Sequence, residues 1–382
     1  MTPTELDALY AFLVAAAGAA VLTPLTMRLA RRVGAIDKPR ARGLSDRDTP
    51  RLGGLAIFVA AALAGAIWLP HANPWSGILA AAGLITLVGA LDDRFDFHPA
   101  IKLAGQVAAA VVAVAVGGVD VPYITLPLVG HLAFPQAGPT LTAIGLVGMM
   151  NVVNFSDGVD GLAAGVCAIV AAAFAVVAFS LGHNAAGVLA ALTAGAAVGF
   201  LFHNFPPASS FMGDAGSNLL GLLMGCIAVR GDLKTSAVVT LALPLILLAV
   251  PFLDTTFVVL KRLKYRRPVY EADQEHLHHR MARIGYSVRA TVLFFYGWTL
   301  MLAGFAVALR FIHYSDHHGH LYAAGTLLVA VLGLIVLAAS VYLIYVLEIF
   351  RGVTLSKLPK PPVRPKSETP FAAEPDSDDQ RR

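Results

Sequence analysis

Four short polar stretches carry the side chains best suited to chemistry. LDDRFDFHPAIK sets Asp92 beside Asp93, with Lys102 shortly after. Adjacent carboxylates repel, so they need a proton, a cation or a nearby lysine. A divalent metal would remove the repulsion; a solvated helix end would also relieve it. NVVNFSDGVDGLAAG brings Asn151, Asn154, Asp157 and Asp160. Its glycines permit a tight turn that gathers both carboxylates, although a capping turn explains the glycines equally well. In FHNFPPASSFMGDAGSNLLG, Asp214 stands between Gly213 and a small-residue helix start, Ala215-Gly216-Ser217. Amides at a helix start attract anions, and Asp214 can hold a hard metal beside them. Phosphate with Mg2+ (Mn2+ as the alternative) is the natural occupant, and an ordinary N-cap is the competing account. EADQEHLHHRM supplies His276, His278, His279 and Arg280. His276 and His279 share a helix face, and Arg280 suits an anion. Zinc is disfavoured there, because it needs three or four ligands and no loop thiolate is at hand.

These residues need a scaffold, and the composition says which kind. Of 382 residues, 57% are hydrophobic and 14% charged, and the mean hydropathy is +0.71. A soluble domain carries about 25% charge, so a water-exposed surface could not be built from this chain. About 20 apolar residues cross the hydrocarbon core as a helix. By that measure the chain has about eleven candidate spans, near 6–28, 52–70, 76–91, 101–117, 139–153, 160–181, 185–202, 216–230, 236–259, 292–310 and 321–347. The fold class expected is therefore all-α, a polytopic transmembrane helix bundle. No connection is long enough to fold as a separate soluble domain. The start of the chain lacks a basic n-region and reads as a first span, not a cleaved signal. Cys167 and Cys226 fall inside apolar runs and read as packing. The Pro-rich, charged stretch 351–382 reads as a disordered tail behind a membrane domain of 1–350.

Orientation follows from the basic residues. All but three of the 28 Lys and Arg fall in 28–51, 92–102, 260–291 or the tail; the exceptions are Arg230, Lys234 and Arg310. The expectation is N-terminus outside and C-terminus cytoplasmic. All four polar stretches then lie on the cytoplasmic side, where His313, His317, His318 and His320 do not; that cluster reads as a solvated loop. A proton-coupled transporter would instead place ionisable groups near mid-bilayer. Here the spans are almost free of charge, with Asp254 near the inner boundary as the main exception.

Taken in order, these motifs resemble the polyprenyl-phosphate N-acetylhexosamine-1-phosphate transferases, of glycosyltransferase family 4, over about residues 6 to 310. DKPRARGLSDRDTPRLGG resembles the family's first inner loop, Asp92-Asp93 with Lys102 its acidic pair, and NVVNFSDGVDGLAAG and FMGDAGS match nearly letter for letter. DTTFVVLKR and HLHHR complete the series. The resemblance implies transfer of a sugar 1-phosphate from a UDP-sugar to polyprenyl phosphate, with release of UMP, at the cytoplasmic face of a bacterial plasma membrane. It implies Asp214 as the Mg2+ ligand with Asn154 nearby, and Asp92 and Asp93 serving the lipid phosphate, one as base. Asn154, Asp157 and Asp160 would shape the nucleotide and metal region, with Lys102 and Asn151 on the substrate side. His276, His278, His279 and Arg280 would contact the diphosphate or amino-sugar.

HLHHR and Asp254-Thr255 resemble the branch using UDP-N-acetylglucosamine and undecaprenyl phosphate, which primes teichoic acid, lipopolysaccharide O-antigen and related cell-wall polymers. The alternatives are another UDP-hexosamine, the UDP-muramoyl-pentapeptide, or a non-catalytic transporter or lipid-binding scaffold on the same fold. The chain departs from the family at Gly43 and Ser45, where Lys and His are common, and at Ser209 or Ser210, where Lys is common. The partners implied are the two substrates and membrane lipid, with no nucleic acid; a homodimer is compatible with the family.

Overall fold

The computed structural model describes residues 3–37, 48–71, 74–121, 123–126, 130–133, 136–231, 287–313 and 322–346. Among these the chain is mostly helical: α1 (Glu5–Val33), α2 (Gly53–Trp68), α3 (Trp75–Phe95), α4 (Pro99–Ala115), α5 (Gly138–Ser156), α6 (Leu162–Ser180), α7 (Asn184–Asn204), α8 (Gly213–Arg230), α9 (Val288–Phe311) and α10 (Ala323–Val346). Ten of the eleven apolar segments are thus helices, and the eleventh, 236–259, lies outside the described residues. Seven are long and apolar enough to cross a membrane: α1, α3, α5, α6, α7, α9 and α10. The chain is a membrane protein.

The all-α expectation needs one correction. Two antiparallel pairs occupy stretches expected to be loops: β1 (Ile36–Asp37) with β2 (Thr49–Pro50), and β3 (Tyr123–Leu126) with β4 (Gly130–Ala133). Such short pairs escape a search for alternating apolar residues, because two to four residues hold too little of the period. Helix ends shift as well. α3 runs on to Phe95, so Asp92 and Asp93 sit in its last turn, and α5 runs to Ser156, which puts Asn154 on helix rather than loop.

Small residues set how closely the helices approach. α1 packs on α7, with Ala8, Ala11, Ala15 and Ala19 buried along the seam. A Cβ on Gly195 would lie 2.2 Å from the Phe12 carbonyl, and one on Gly199 2.0 Å from that of Ala16. Backbone contact of this kind is how helices associate where lipid offers no hydrophobic drive. Pro24 interrupts the α1 ladder, because it has no N–H for the carbonyl of Ala20. The ring Nε2 of His203 on α7 lies 2.9 Å from that carbonyl and, carrying the proton, donates to it.

α6, α7 and α8 form the centre and are buried over most of their lengths. α10 lies on the outside against α9, where Trp298 Nε1 donates to Ser340 Oγ at 3.0 Å. Its exposed Leu327, Leu334, Ile335 and Leu337 match the lipid-facing surface that a bundle of apolar helices must present.

Candidate active site

The polar stretches meet at the start of α8. Asp92, in the last turn of α3, is buried and accepts from the Phe97 N–H at 2.8 Å. The chain turns at Asp96, whose φ of 51° lies in the left-handed region that aspartate tolerates better than most residues, and enters α4 through Pro99. The first turn of α4 swings Lys102 back over α3, and its Nζ sits 2.6 Å from Asp92 Oδ2 and 3.2 Å from Asp214 Oδ2. From α5, Asn154 Nδ2 donates to the other oxygen of Asp214 at 3.0 Å and to Ser217 Oγ at 2.8 Å. Asp92, Lys102, Asp214 and Asn154 therefore form a chain of contacts drawn from four helices.

Asp93 does something the sequence did not suggest. Its two carboxylate oxygens accept from the backbone N–H groups of Asp214 (2.9 Å) and Ala215 (3.2 Å). The anion at the start of α8 is thus a side chain from α3. The expectation that these amides face a bound phosphate is corrected accordingly: a carboxylate satisfies the donors and complements the helix dipole. Gly213 makes this fit feasible. Its φ is +67°, and a Cβ there would come within 2.3 Å of both Asp93 Oδ2 and the Arg51 carbonyl.

The loop before α8 is held by the other motifs. Phe211 N–H donates to the Pro50 carbonyl (2.8 Å), while Gly53 and Gly54 donate to the carbonyls of Phe211 (3.0 Å) and Met212 (2.9 Å). A Cβ on Gly54 would fall 2.1 Å from the Gly216 nitrogen, and one on Gly89 2.5 Å from the Ala215 Cα. The glycines of Pro-Arg-Leu-Gly-Gly thus let α2 touch the backbone of α8, and Gly89 does the same for α3. On the far side, Asp160 Oδ2 accepts from Ala208 N–H at 2.9 Å, and Asn204 links the Gly161 N–H (3.0 Å) to the Ser210 carbonyl (2.9 Å). Arg289 Nε donates to the Pro206 carbonyl at 2.8 Å, and the Tyr296 hydroxyl donates to that of Gly161. Asp157 and Asp160 hence belong to the loop wall next to the first group.

Negative charge exceeds positive here. Enclosure by protein raises the pKa of Asp157 well above the usual carboxylate range, and the charges of Asp214, Asp93 and Asp160 raise it further. Enclosure also raises that of Asp160, against the bond from Ala208. Against five carboxylates stand Lys102, which meets Asp92 and Asp214, and Arg51, close enough for its charge to act on Asp93 and Asp157 while it pairs with Asp37 at 2.6 Å. A divalent cation suits this surplus. Among the described residues no three His, Cys, Asp or Glu side chains are grouped tightly enough to hold a metal alone. That is compatible with Mg2+, which commonly takes one or two carboxylates and completes its shell with water and substrate phosphates.

Of the residues expected from sequence, Asp92, Asp93, Lys102, Asn154 and Asp214 are brought together, and Asp157 and Asp160 adjoin them. Asn151, half-buried, is turned to other partners: its Nδ2 donates to Gln106 Oε1 (2.9 Å) and to the Val147 carbonyl (2.8 Å). His276, His278, His279, Arg280 and Asp254 lie outside the described residues. Sequence reasoning passed over Gln106, Asn204, Ser217 and Asn218. Gln106 and Asn218 could have been noticed as amides inside otherwise apolar helices, where an unpaired polar group is costly.

The family model for glycosyl transferase family 4 matches residues 75–232, the stretch from α3 to α8 that builds this site. A probable undecaprenyl-phosphate N-acetylglucosaminyl 1-phosphate transferase of Bacillus subtilis (strain 168) is 36% identical over 294 residues, covering 75% of this chain and 80% of the relative. The chain belongs to glycosyl transferase family 4. Two further relatives in the family extend the range. The decaprenyl-phosphate N-acetylglucosaminephosphotransferase of Mycolicibacterium smegmatis is 37% identical, with 72% of this chain and 75% of the relative covered. The undecaprenyl-phosphate alpha-N-acetylglucosaminyl 1-phosphate transferase of Escherichia coli (strain K12) is 25% identical, with 75% and 80% covered.

Proposed function

We propose that this family 4 enzyme transfers N-acetylglucosamine 1-phosphate from UDP-N-acetylglucosamine to polyprenyl phosphate, giving the polyprenyl-diphosphate sugar and UMP. The observation that carries the reading is the contact chain Asp92–Lys102–Asp214–Asn154, built from four helices at one end of α8. The named activities of the relatives agree with it. An oxygen of the lipid phosphate attacks the sugar-bearing phosphorus of the nucleotide, the phosphoanhydride bond breaks, and UMP leaves with the electron pair. Among the described residues no side chain is set up as an activated nucleophile, which favours direct attack.

Asp214 is the ligand for Mg2+, with Asn154 beside it; the ion would neutralise the meeting phosphates. Lys102 serves as a fixed positive charge for a phosphoryl oxygen. Asp92 is paired with that lysine and is the member of the acidic pair assigned to the lipid phosphate, while Asp93 holds the start of α8 through both its oxygens. Asp157 and Asp160 bound the nucleotide side. His276, His278, His279 and Arg280 remain candidates for the diphosphate or amino-sugar on their sequence alone.

Purified protein with UDP-N-acetylglucosamine, undecaprenyl phosphate and Mg2+ should release UMP. Release from a different UDP-sugar alone would sink the sugar assignment, and none from any UDP-sugar would leave a scaffold. The same reading places the site at the cytoplasmic face of the bacterial plasma membrane, with eleven spans and the N-terminus outside. Asp96 and His313 are both exposed, and the two native cysteines are buried. In intact cells a membrane-impermeant maleimide should therefore label a His313→Cys variant, and an Asp96→Cys variant only after permeabilisation. The reverse pattern would invert the topology.

A further inference from the structure

One helical turn deeper than Asp214 lies a second layer of polar side chains. Asn151 Nδ2 donates to Gln106 Oε1 at 2.9 Å, Gln106 Nε2 donates to Asn218 Oδ1 at 2.8 Å, and Asn218 Nδ2 donates to the Asp214 carbonyl at 2.8 Å. Gln106 and Asn218 are only 6% and 5% exposed. The relay runs in one direction and ends on the backbone of the residue assigned to the metal.

The spacing is what gives this layer meaning. On α4, Gln106 follows Lys102 by four residues. On α5, Asn151 precedes Asn154 by three. On α8, Asn218 follows Asp214 by four. Each amide therefore sits one turn from a site residue on the same face of its helix. The three helices are joined twice: once through Lys102, Asn154 and Asp214, and once through the amides. The two layers differ physically. Attraction between an ammonium and a carboxylate has little directional preference and tolerates sliding. Amide hydrogen bonds among apolar helices weaken steeply when misaligned and have no water to replace them.

We propose that Gln106, Asn151 and Asn218 are positioning residues that hold Lys102, Asn154 and Asp214 at their working separation. The inference rests on the reaction proposed above. It moves Asn151 from the substrate contacts to the support beneath them.

Gln106→Leu removes two bonds of the relay at once. Since displacement by about 1 Å can cost a rate about 10²-fold, kcat per folded enzyme should fall by about 10- to 100-fold. The KM for UDP-N-acetylglucosamine should stay within about twofold on the same grounds, while the Mg2+ needed for half-maximal rate rises. Asn218→Ser is a gentler variant. Its hydroxyl can return to the Asp214 carbonyl, as the hydroxyls of Thr23, Thr86 and Thr193 do to the carbonyl four residues earlier, but the bond to Gln106 is lost. It should shift kcat and the Mg2+ requirement in the same direction by less. Wild-type kcat and Mg2+ requirement in folded Gln106→Leu, even at reduced yield, would reduce the layer to packing and overturn the proposal. Should Gln106→Leu fail to fold, Asn218→Ser decides by the same readouts. Wild-type protein that releases no UMP overturns the proposed reaction instead, and the positioning role with it.

Discussion

Asp214→Asn protein should fold, enter the membrane and release UMP at least about 10³-fold more slowly than wild type, a loss of about 4 kcal/mol in transition-state stabilisation. The substitution preserves volume and one acceptor oxygen. What it removes is the charge that a divalent cation needs and that Lys102 faces at 3.2 Å. The loss is not only of charge. Both Asp214 oxygens now accept, one from Lys102 and one from Asn154. An amide must turn its NH2 group toward one of those donors. The α8 start itself should survive, because its N–H groups bond to Asp93 and not to the Asp214 side chain. Thermal unfolding close to wild type, together with lost turnover and lost response to Mg2+, is the expected combination. Activity within tenfold of wild type would remove Asp214 from the metal site.

Lys102→Met is expected to lower kcat by about 10²- to 10³-fold, the usual effect of deleting one fixed donor aimed at developing negative charge. Methionine matches the length of the lysine stem, so the helix contacts of the chain are kept. The ammonium that contacts both Asp92 and Asp214 is lost. Asp92 is 4% exposed, so its charge is left without its partner in a place water hardly reaches. Breaking a fully buried pair costs about 3–5 kcal/mol. The stability loss here should be smaller, since the Lys102 side chain is 35% exposed and water screens it. Lys102→Arg keeps the charge but spreads it over a planar fork that does not reproduce a point charge between two carboxylates, and should fall between the two. A Lys102→Met enzyme with wild-type kcat would make the lysine a purely structural tie. Steady-state UMP release and detergent-solubilised melting curves measure both effects.

The membrane bundle was legible from composition because hydropathy is a local property: a run of apolar residues is visible without knowing its neighbours. Ten of the eleven runs read this way are helices in the structure. Motif residues were legible for a related reason, since Asp and Asn beside Gly at the ends of apolar runs stand out by contrast. The helix ends were less so. Asp92 and Asn154 proved to be on helices, because polar side chains that find partners across the bundle allow a helix to continue past its apolar stretch.

Sequence by itself therefore determined that this is a many-helix membrane protein with its acidic chemistry in loops and helix ends, and that the motifs belong to one transferase family. Only the tertiary structure decided which of those groups face one another. Lys102 reaches Asp214 across 112 residues of chain, because Gly54 and Gly89 let α2 and α3 touch the backbone of α8. The division of labour within the acidic pair was decided the same way. Two neighbouring aspartates on a helix point about 100° apart, so Asp93 caps α8 while Asp92 meets the lysine. No local pattern in the chain carries that information.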